Sequence, residues 1–435
     1  MARILLEPLS RALVIESPHP SLDVHLAEAG ISVTRLDRVP DNGALVRALR
    51  DSGAQVLFKR SRVAVSRAVI EEAPELHAVA LCCIGDDSVD KVACADHGIL
   101  VFNDPVSNGR SVVELAIAHL VSQSRRLFET DVAMRSHRWD KSEVGRFEVL
   151  GKTLGVLGLG NIGRQVARAA EGLGMSVAAY DSRQVAREVG EEMGWRVCRT
   201  AEELFRTSDL VTVHLSARDA WDRDNAGILD PLLGALGADR PEGSPRVFLN
   251  LARGNLHTAG ALLDAVSAGQ IRRAAVDVYP EEPAPGADSW QNPYAADARI
   301  TCSPHIGAAT QEAQPRIARR VATTLIDFAR RGSLRDCVFA PRERMEAGDA
   351  SAGRAILAVV HSVSRGTKKA VDDAIYEAEA SNLGSMHRDF DIGVAYDLSV
   401  LDQALTGEQL ARLVSRARDL AKDPRAIRAV RQMAF

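Results

Sequence analysis

Apolar residues recur along the first 110 positions in two alternating rhythms. Short runs of strand length, RALVIES (11–17), ISVTRLD (31–37), AQVLFKR (54–60), HAVALCC (77–83) and ILVFN (99–103), are rich in Val, Ile, Leu and Phe. Between them lie stretches such as PSLDVHLAEAG and ALVRALRDSG, apolar at i, i+3 and i+4 and closed by Gly, which predict amphipathic helices with left-handed stops. Strands alternating with helices predict βαβ units and a parallel sheet. A long amphipathic stretch over about 111–136 bridges to a second alternating series, TLGVLGLG, SVAAYD, LVTVHL, RVFLNLA, RRAAVDVY and ITCSPH, and a helix over about 310–331 closes it.

The rhythm then changes. Residues 340–354, APRERMEAGDASAGR, are polar with scattered Gly and read as a linker. After it, AILAVVHSV, a helix through KKAVDDAIYEAEA, SMHRDF, IGVAYDLSV, a helix from Thr406 through ARDLA, and AIRAVRQMAF give β-α-β-β-α-β, the order of a small ferredoxin-like domain. Thr406 with Gln409 three residues on predicts a capping box. An insertion, GADRPEGSP (237–245), reads as a surface loop.

Composition narrows the function classes. The chain has 435 residues, 46% hydrophobic and 26% charged, which predicts a soluble protein of two to four domains with real cores. A net charge of −4 gives no footprint for nucleic acid or an anionic membrane. No apolar run approaches the ~18 residues that cross a bilayer, and the N-terminus lacks the apolar core of a secretory signal, so a cytoplasmic location is expected. The cysteines Cys82, Cys83, Cys94, Cys198, Cys302 and Cys337 form no C-x-x-C pair and read as reduced, packed thiols, with no metal expected.

Two constellations carry chemistry. Gly158-Leu-Gly160-Asn161-Ile162-Gly163 ends a strand-like run and opens a helix. In that context the first Gly permits a tight turn, the second a close backbone approach to a pyrophosphate, and the third close helix–strand packing, with the helix N-terminus facing the phosphates. The next strand ends at Asp181, about 20 residues on, where a carboxylate accepts ribose hydroxyls and repels a 2′-phosphate, favouring NAD over NADP; Arg183 lies close by.

Downstream, Asn250-Leu-Ala-Arg253-Gly, Asp277-Val-Tyr-Pro-Glu-Glu282-Pro and Ser303-Pro-His305-Ile-Gly each place a charged or titratable residue at a strand end. Ligands of open α/β sheets sit at those ends. Oxidising a 2-hydroxyacid needs a base for the hydroxyl proton, a cation for the carboxylate and a carboxylate to orient the base. His305, Arg253 and Glu282 suit those roles in turn.

The motifs CCIGDDSVD (82–90), FNDPVSNGRSVVELA (102–116), HRWDKSEVGRFEVLGKTLGVLGLGNIG (137–163), VDVYPEEP (276–283) and PHIGAATQEAQ (304–314) resemble the D-isomer-specific 2-hydroxyacid dehydrogenase family, over about residues 11–335. The stretch from His305 through TQEAQ is most similar to the branch that acts on 3-phosphoglycerate in L-serine biosynthesis. The resemblance implies an α/β architecture in which a Rossmann nucleotide-binding domain (113–306) is inserted in a flavodoxin-like split substrate domain (1–112 and 307–338), followed by a linker (339–354) and a ferredoxin-like, ACT-like regulatory domain (355–435). It carries the family's catalytic trio onto Arg253, Glu282 and His305. Its NAD contacts fall on Gly158, Gly160, Asn161, Ile162, Gly163, Asp181, His214, Leu251, Ala252, Asp277, Gly307 and Ala308. Its substrate contacts fall on Arg60, Ser61, Ile84, Gly85 and Asn108, with Arg60, Ser61 and Asn108 on the phosphate. Lys141, after Trp139, matches a lysine that in the family reaches a neighbouring subunit's site, and the family implies a homodimer or homotetramer.

A trianionic three-carbon acid needs cations at both ends, which Arg60 and Arg253 supply. The family's ACT domains bind serine through a His, an Asn two residues later, a Gly and a second Asn. This chain has His361, Val363, Gly366 and Asn382, so an apolar Val stands at a ligand position and serine should bind poorly. Two alternatives share these motifs: the same chemistry on 2-oxoglutarate or hydroxypyruvate, and an NAD-sensing protein like the C-terminal-binding-protein corepressors.

Overall fold

The computed structural model describes residues 2–218, 223–283, 289–340, 343, 345–347 and 354–434. Two compact units emerge, residues 1–107 with 314–435, and residues 108–313.

In the first unit, β1 (Arg3–Leu5) precedes β2 (Arg11–Ile15), β3 (Ser32–Leu36), β4 (Val56–Lys59), β5 (Ala78–Leu81) and β6 (Leu100–Phe102). The last five form a parallel sheet in the order β3-β2-β4-β5-β6, the flavodoxin-like arrangement. Strands β4 and β5 are buried at every position, as expected where helices cover both faces of a parallel sheet. The helix Asn42–Ser52 starts where the Asp41 carboxylate accepts from the Ala44 N–H and stops at Gly53 in the left-handed conformation.

The second unit holds β7 (Thr153–Leu157), β8 (Ser176–Tyr180), β9 (Arg196–Val197), β10 (Leu210–Val213), β11 (Val247–Asn250), β12 (Arg273–Val276) and β13 (Ile300–Cys302). All are parallel, in the order β13-β12-β11-β10-β7-β8-β9, so strand order reverses between β7 and β10 as in a Rossmann sheet. The stretch 111–136 is two helices, Gly109–Arg125 and Leu127–Arg135, rather than one. Arg126 adopts φ 57° between them and donates to Glu129 and to the Val144 carbonyl, contacts that apolar periodicity does not report. The loop 237–245 is anchored by Arg240, which donates to the buried Asp209 carboxylate at 2.8 Å.

The first unit also contains β14 (Ala355–Ser362), β15 (Asn382–Asp389), β16 (Val394–Leu401) and β17 (Ile427–Ala434), with helices Thr367–Glu377 and Gly407–Ala421. Their antiparallel order β17-β14-β16-β15 is ferredoxin-like. The Thr406–Gln409 capping box forms with both hydrogen bonds present. β1, which sequence patterning does not pick out, pairs in parallel with β17. Three residues paired with a segment over 400 positions away leave no local signal. Buried Arg431 on β17 lies 3.8 Å over the Phe328 ring and donates to the Phe328 carbonyl, while Tyr396 donates to Gly332 O. Of the expected linker, residues 341–342, 344 and 348–353 lie outside the described residues. Among the described residues no helix is long and apolar enough to cross a membrane.

Candidate active site

The glycine turn after β7 meets the steric demands of a dinucleotide. Gly158 has φ 95°, and a Cβ there would stand 2.5 Å from the His214 carbonyl oxygen. A Cβ on Gly163 would stand 2.0 Å from Gly158 O, so only Gly lets the helix Asn161–Glu171 seat on its strand. Gly160 has nothing within 4 Å of a Cβ, the open approach a pyrophosphate requires. No side chain caps the N-terminus of that helix, the end whose dipole favours an anion. These residues fit NAD.

Asp181 is buried and closes the turn by accepting from the Leu159 N–H at 2.8 Å. The Arg183 guanidinium grips the same carboxylate, Nε to Oδ1 at 3.0 Å and Nη2 to Oδ2 at 2.9 Å. Burial disfavours the charged form, but Arg183 and the two backbone donors outweigh it and hold Asp181 below the usual carboxylate range. The carboxylate that patterning leaves open to a ribose is thus already engaged by its neighbour. Burial pushes His214 down to about 4, so its ring is neutral at pH 7. Ile162, Leu251 and Ala252 pack into the two cores of this sheet.

The trio converges from the loops after β11, β12 and β13. The Asn250 side chain ties the first loop, accepting from the Ala252 N–H and donating to the Arg253 carbonyl. Arg253 is extended and donates from Nη1 to Ala252 O at 2.8 Å. Gly254 follows because a Cβ there would fall 1.8 Å from Tyr279 O. In the third loop His305 sits at φ 54°. That turn is held by Asp277, fully buried, whose carboxylate accepts from Ser303 Oγ at 2.6 Å, Ile306 N at 2.9 Å and Gly307 N at 2.7 Å. Asp277, expected from the sequence to contact the cofactor, also clamps the histidine turn, and Ala308 lies just past that turn.

His305 Nδ1 meets Glu282 Oε2 at 2.8 Å. Glu282 also accepts from the Tyr279 N–H at 3.4 Å, and Tyr279 stands edge-on to Trp290. Partial burial works against the Glu282 charge, but His305, the Tyr279 N–H and the Arg253 charge together hold it below the usual range. An ionised Glu282 on Nδ1 fixes the tautomer and leaves Nε2 without a hydrogen bond to any described residue.

The expected substrate contacts divide between the units. Arg60, Ser61, Ile84 and Gly85 belong to the first, on loops after β4 and β5; Asn108 and Lys141 belong to the second. Glu16, which patterning passes over, accepts from the backbone N–H groups of Arg60, Arg62 and Val63 at 2.7–2.8 Å and so shapes the Arg60 loop. The Ile84 carbonyl accepts from Asn103, and Gly85 O from Cys83. Asn108 is buried with Oδ1 unpartnered. Lys141 is exposed, on a segment whose Trp139 is 81% exposed.

Residues 117–307 match the D-isomer specific 2-hydroxyacid dehydrogenase NAD-binding domain. The chain is 31% identical over 324 residues to D-3-phosphoglycerate dehydrogenase of Dictyostelium discoideum, covering 74% of this chain and 76% of that protein. It is 33% identical over 347 residues to D-3-phosphoglycerate dehydrogenase of Escherichia coli, covering 78% and 80%. Its fold is similar to the solved 2-hydroxyacid dehydrogenase from Ketogulonicigenium vulgare Y25, with a TM-score of 0.58, 27% identity, and 73% of this chain and 95% of that one covered. The chain belongs to the D-isomer-specific 2-hydroxyacid dehydrogenase family and is an NAD-dependent dehydrogenase.

Proposed function

We propose that this enzyme interconverts 3-phospho-D-glycerate and 3-phosphohydroxypyruvate, the first step of L-serine biosynthesis. The observation that carries the reading is the Glu282–His305 pair, 2.8 Å at Nδ1 with Nε2 left open, on a Rossmann sheet whose glycine turn fits NAD. NAD, held at the Gly158–Gly163 turn and the start of the helix Asn161–Glu171, would supply the hydride acceptor for C2 in oxidation and, when reduced, the hydride donor. His305 Nε2 takes the C2 hydroxyl proton in oxidation and supplies it in reduction, while Glu282 stabilises the imidazolium that forms. Arg253 holds the substrate carboxylate. Arg60, Ser61 and Asn108 bind the phosphate, Arg60 by its charge and Ser61 Oγ and Asn108 Nδ2 as donors.

The name shared by the Dictyostelium and Escherichia coli relatives favours the phosphorylated acid. On this reading the split substrate domain, inserted nucleotide domain and ACT-like regulatory domain follow the boundaries expected from the sequence, and the enzyme works in the cytoplasm as a homodimer or homotetramer in which Lys141 reaches a neighbouring site. The test is NADH oxidation with phosphohydroxypyruvate and with hydroxypyruvate, side by side. A preference in kcat/KM of about 100-fold, or about 2.7 kcal/mol, that Arg60→Ala abolishes supports the phosphate pocket. Equal rates on both acids show the trio serving another 2-oxoacid, with 2-oxoglutarate the next to try.

A further inference from the structure

We propose that His361, His387 and Asp397 form a binding site for a divalent transition-metal ion of the zinc class within the ferredoxin-like sheet. The three residues lie on adjacent strands. Asp397 of β16 pairs directly with His387 of β15, and His361 of β14 pairs with Ala395, two positions from Asp397 and therefore on its face. One donor atom from each of the three lies within 4.8 Å of the others, and among the described residues this is the one such cluster of three or more His, Cys, Asp or Glu.

All four ring nitrogens of the two histidines face oxygen atoms. His361 Nδ1 is 2.8 Å from the Ser362 carbonyl and carries its proton there, since a carbonyl only accepts. Its Nε2 faces Asp397 Oδ2 at 3.0 Å. His387 Nδ1 lies 2.6 Å from the other oxygen, Asp397 Oδ1, and His387 Nε2 lies 3.0 Å from Asp389 Oδ1. A metal ion held by His361 Nε2, His387 Nδ1 and Asp397 would take the place of both nitrogen–carboxylate contacts. The remaining protons then fall on His361 Nδ1, donated to a backbone carbonyl, and on His387 Nε2, donated to Asp389. Those are the outer contacts that metal-bound histidines make.

Burial and access agree with this assignment. The His361 and Asp397 side chains are each 1% exposed, so the carboxylate is desolvated and needs a counter-charge. Lys368 Nζ is 3.7 Å from Asp397 but contacts Asp372 more closely, at 2.5 Å, and is part-exposed, so an entering ion displaces it toward Asp372. The His387 side chain is 34% exposed and leaves a way in, with a coordination position for water. Two nitrogens and one carboxylate suit zinc, at bonds of about 2.0–2.2 Å. An ion here cross-links the edge strand β15 to the buried strands β14 and β16.

The full chain, freed of metal with a chelator and dialysed, is titrated calorimetrically with Zn2+ alone, as wild type and as His387→Ala. His387 lies on an exposed strand edge, and an unchanged urea midpoint reports that the variant is folded. The expected result is one tight equivalent in the wild type that His387→Ala weakens 100-fold or more. Because exposed His305 and Glu282 can also take up zinc, a smaller loss in the variant overturns the proposal, as does the absence of a tight equivalent in the wild type. If the variant does not fold, Co2+ in His305→Ala decides instead: histidine-ligated d–d bands that zinc removes support the site, and their absence overturns it.

Discussion

Two carboxylate–imidazole pairs in this chain share their chemistry and differ in their surroundings. Glu282 and His305 meet at 2.8 Å with side chains 38% and 45% exposed, whereas Asp397 and His361 meet at 3.0 Å with each 1% exposed. In the first pair the carboxylate takes one ring nitrogen and no described residue takes the other, so a proton can be exchanged with a substrate. In the second, both ring nitrogens face acceptors, and no exchangeable position faces outward. A histidine next to an acid is therefore no mark of catalysis by itself. The open nitrogen and its exposure separate a reacting pair from a binding or structural one.

The largest effect that could break this comparison is on turnover. His305→Ala should lower kcat by roughly 10^2- to 10^4-fold while the NADH dissociation constant moves less than about twofold. Comparable kcat values in variant and wild type would remove His305 as the acid–base group. His361→Ala should do the reverse, costing about 2 kcal/mol of stability by stripping a partner from buried Asp397 and leaving kcat within twofold. Urea midpoints and initial rates on one preparation check both halves, and a large fall in kcat would erase the distinction between the pairs.

A further effect, capped by a single titration, is on the pH profile, through a third histidine that faces no carboxylate. Burial, with Arg431 and Arg3 nearby, pushes His77 down to about 3. An unfolded histidine takes a proton near pH 6.5, so between 6.5 and about 3 the unfolded chain binds one proton more than the folded chain. Stability therefore falls as pH drops through 6.5, by a ceiling of about 2.7 kcal/mol at pH 4.5, two units at about 1.36 kcal/mol each. Urea midpoints at pH 7.5 and 4.5 should show this loss and should show it reduced in His77→Gln; an unchanged difference would mean that other groups set the acid limb.

Much of the architecture is legible in the sequence, because βαβ alternation and the ferredoxin-like order arise from local periodicity. The glycine turn is legible for the same reason: a Cβ would meet nothing at Gly160 and would collide with Gly158 O at Gly163. Less legible are elements that local pattern does not encode: the two-residue β9, the left-handed break at Arg126, and the pairing of β1 with β17. At the candidate site the strand-end positions of Arg253, Glu282 and His305 are readable, but the supports are not. Asn250, Ser303 and Tyr279 act through turn geometry, and Glu16 acts through backbone N–H groups more than 40 residues away. Gly254 is an ordinary glycine in sequence and a necessary one only because Tyr279 O approaches it.

The sequence by itself determined the two kinds of sheet, the dinucleotide turn and the order of the candidate catalytic residues, since each depends on side chains within a few positions of one another. Only the tertiary structure decided which charged groups are engaged. Asp181 is taken by Arg183, Asp277 by the histidine turn, and Asp397 by two histidines from strands 10 and 36 residues away. The reason is physical: a buried carboxylate must find donors wherever the fold places them, and strand register, more than sequence proximity, determines which donors those are.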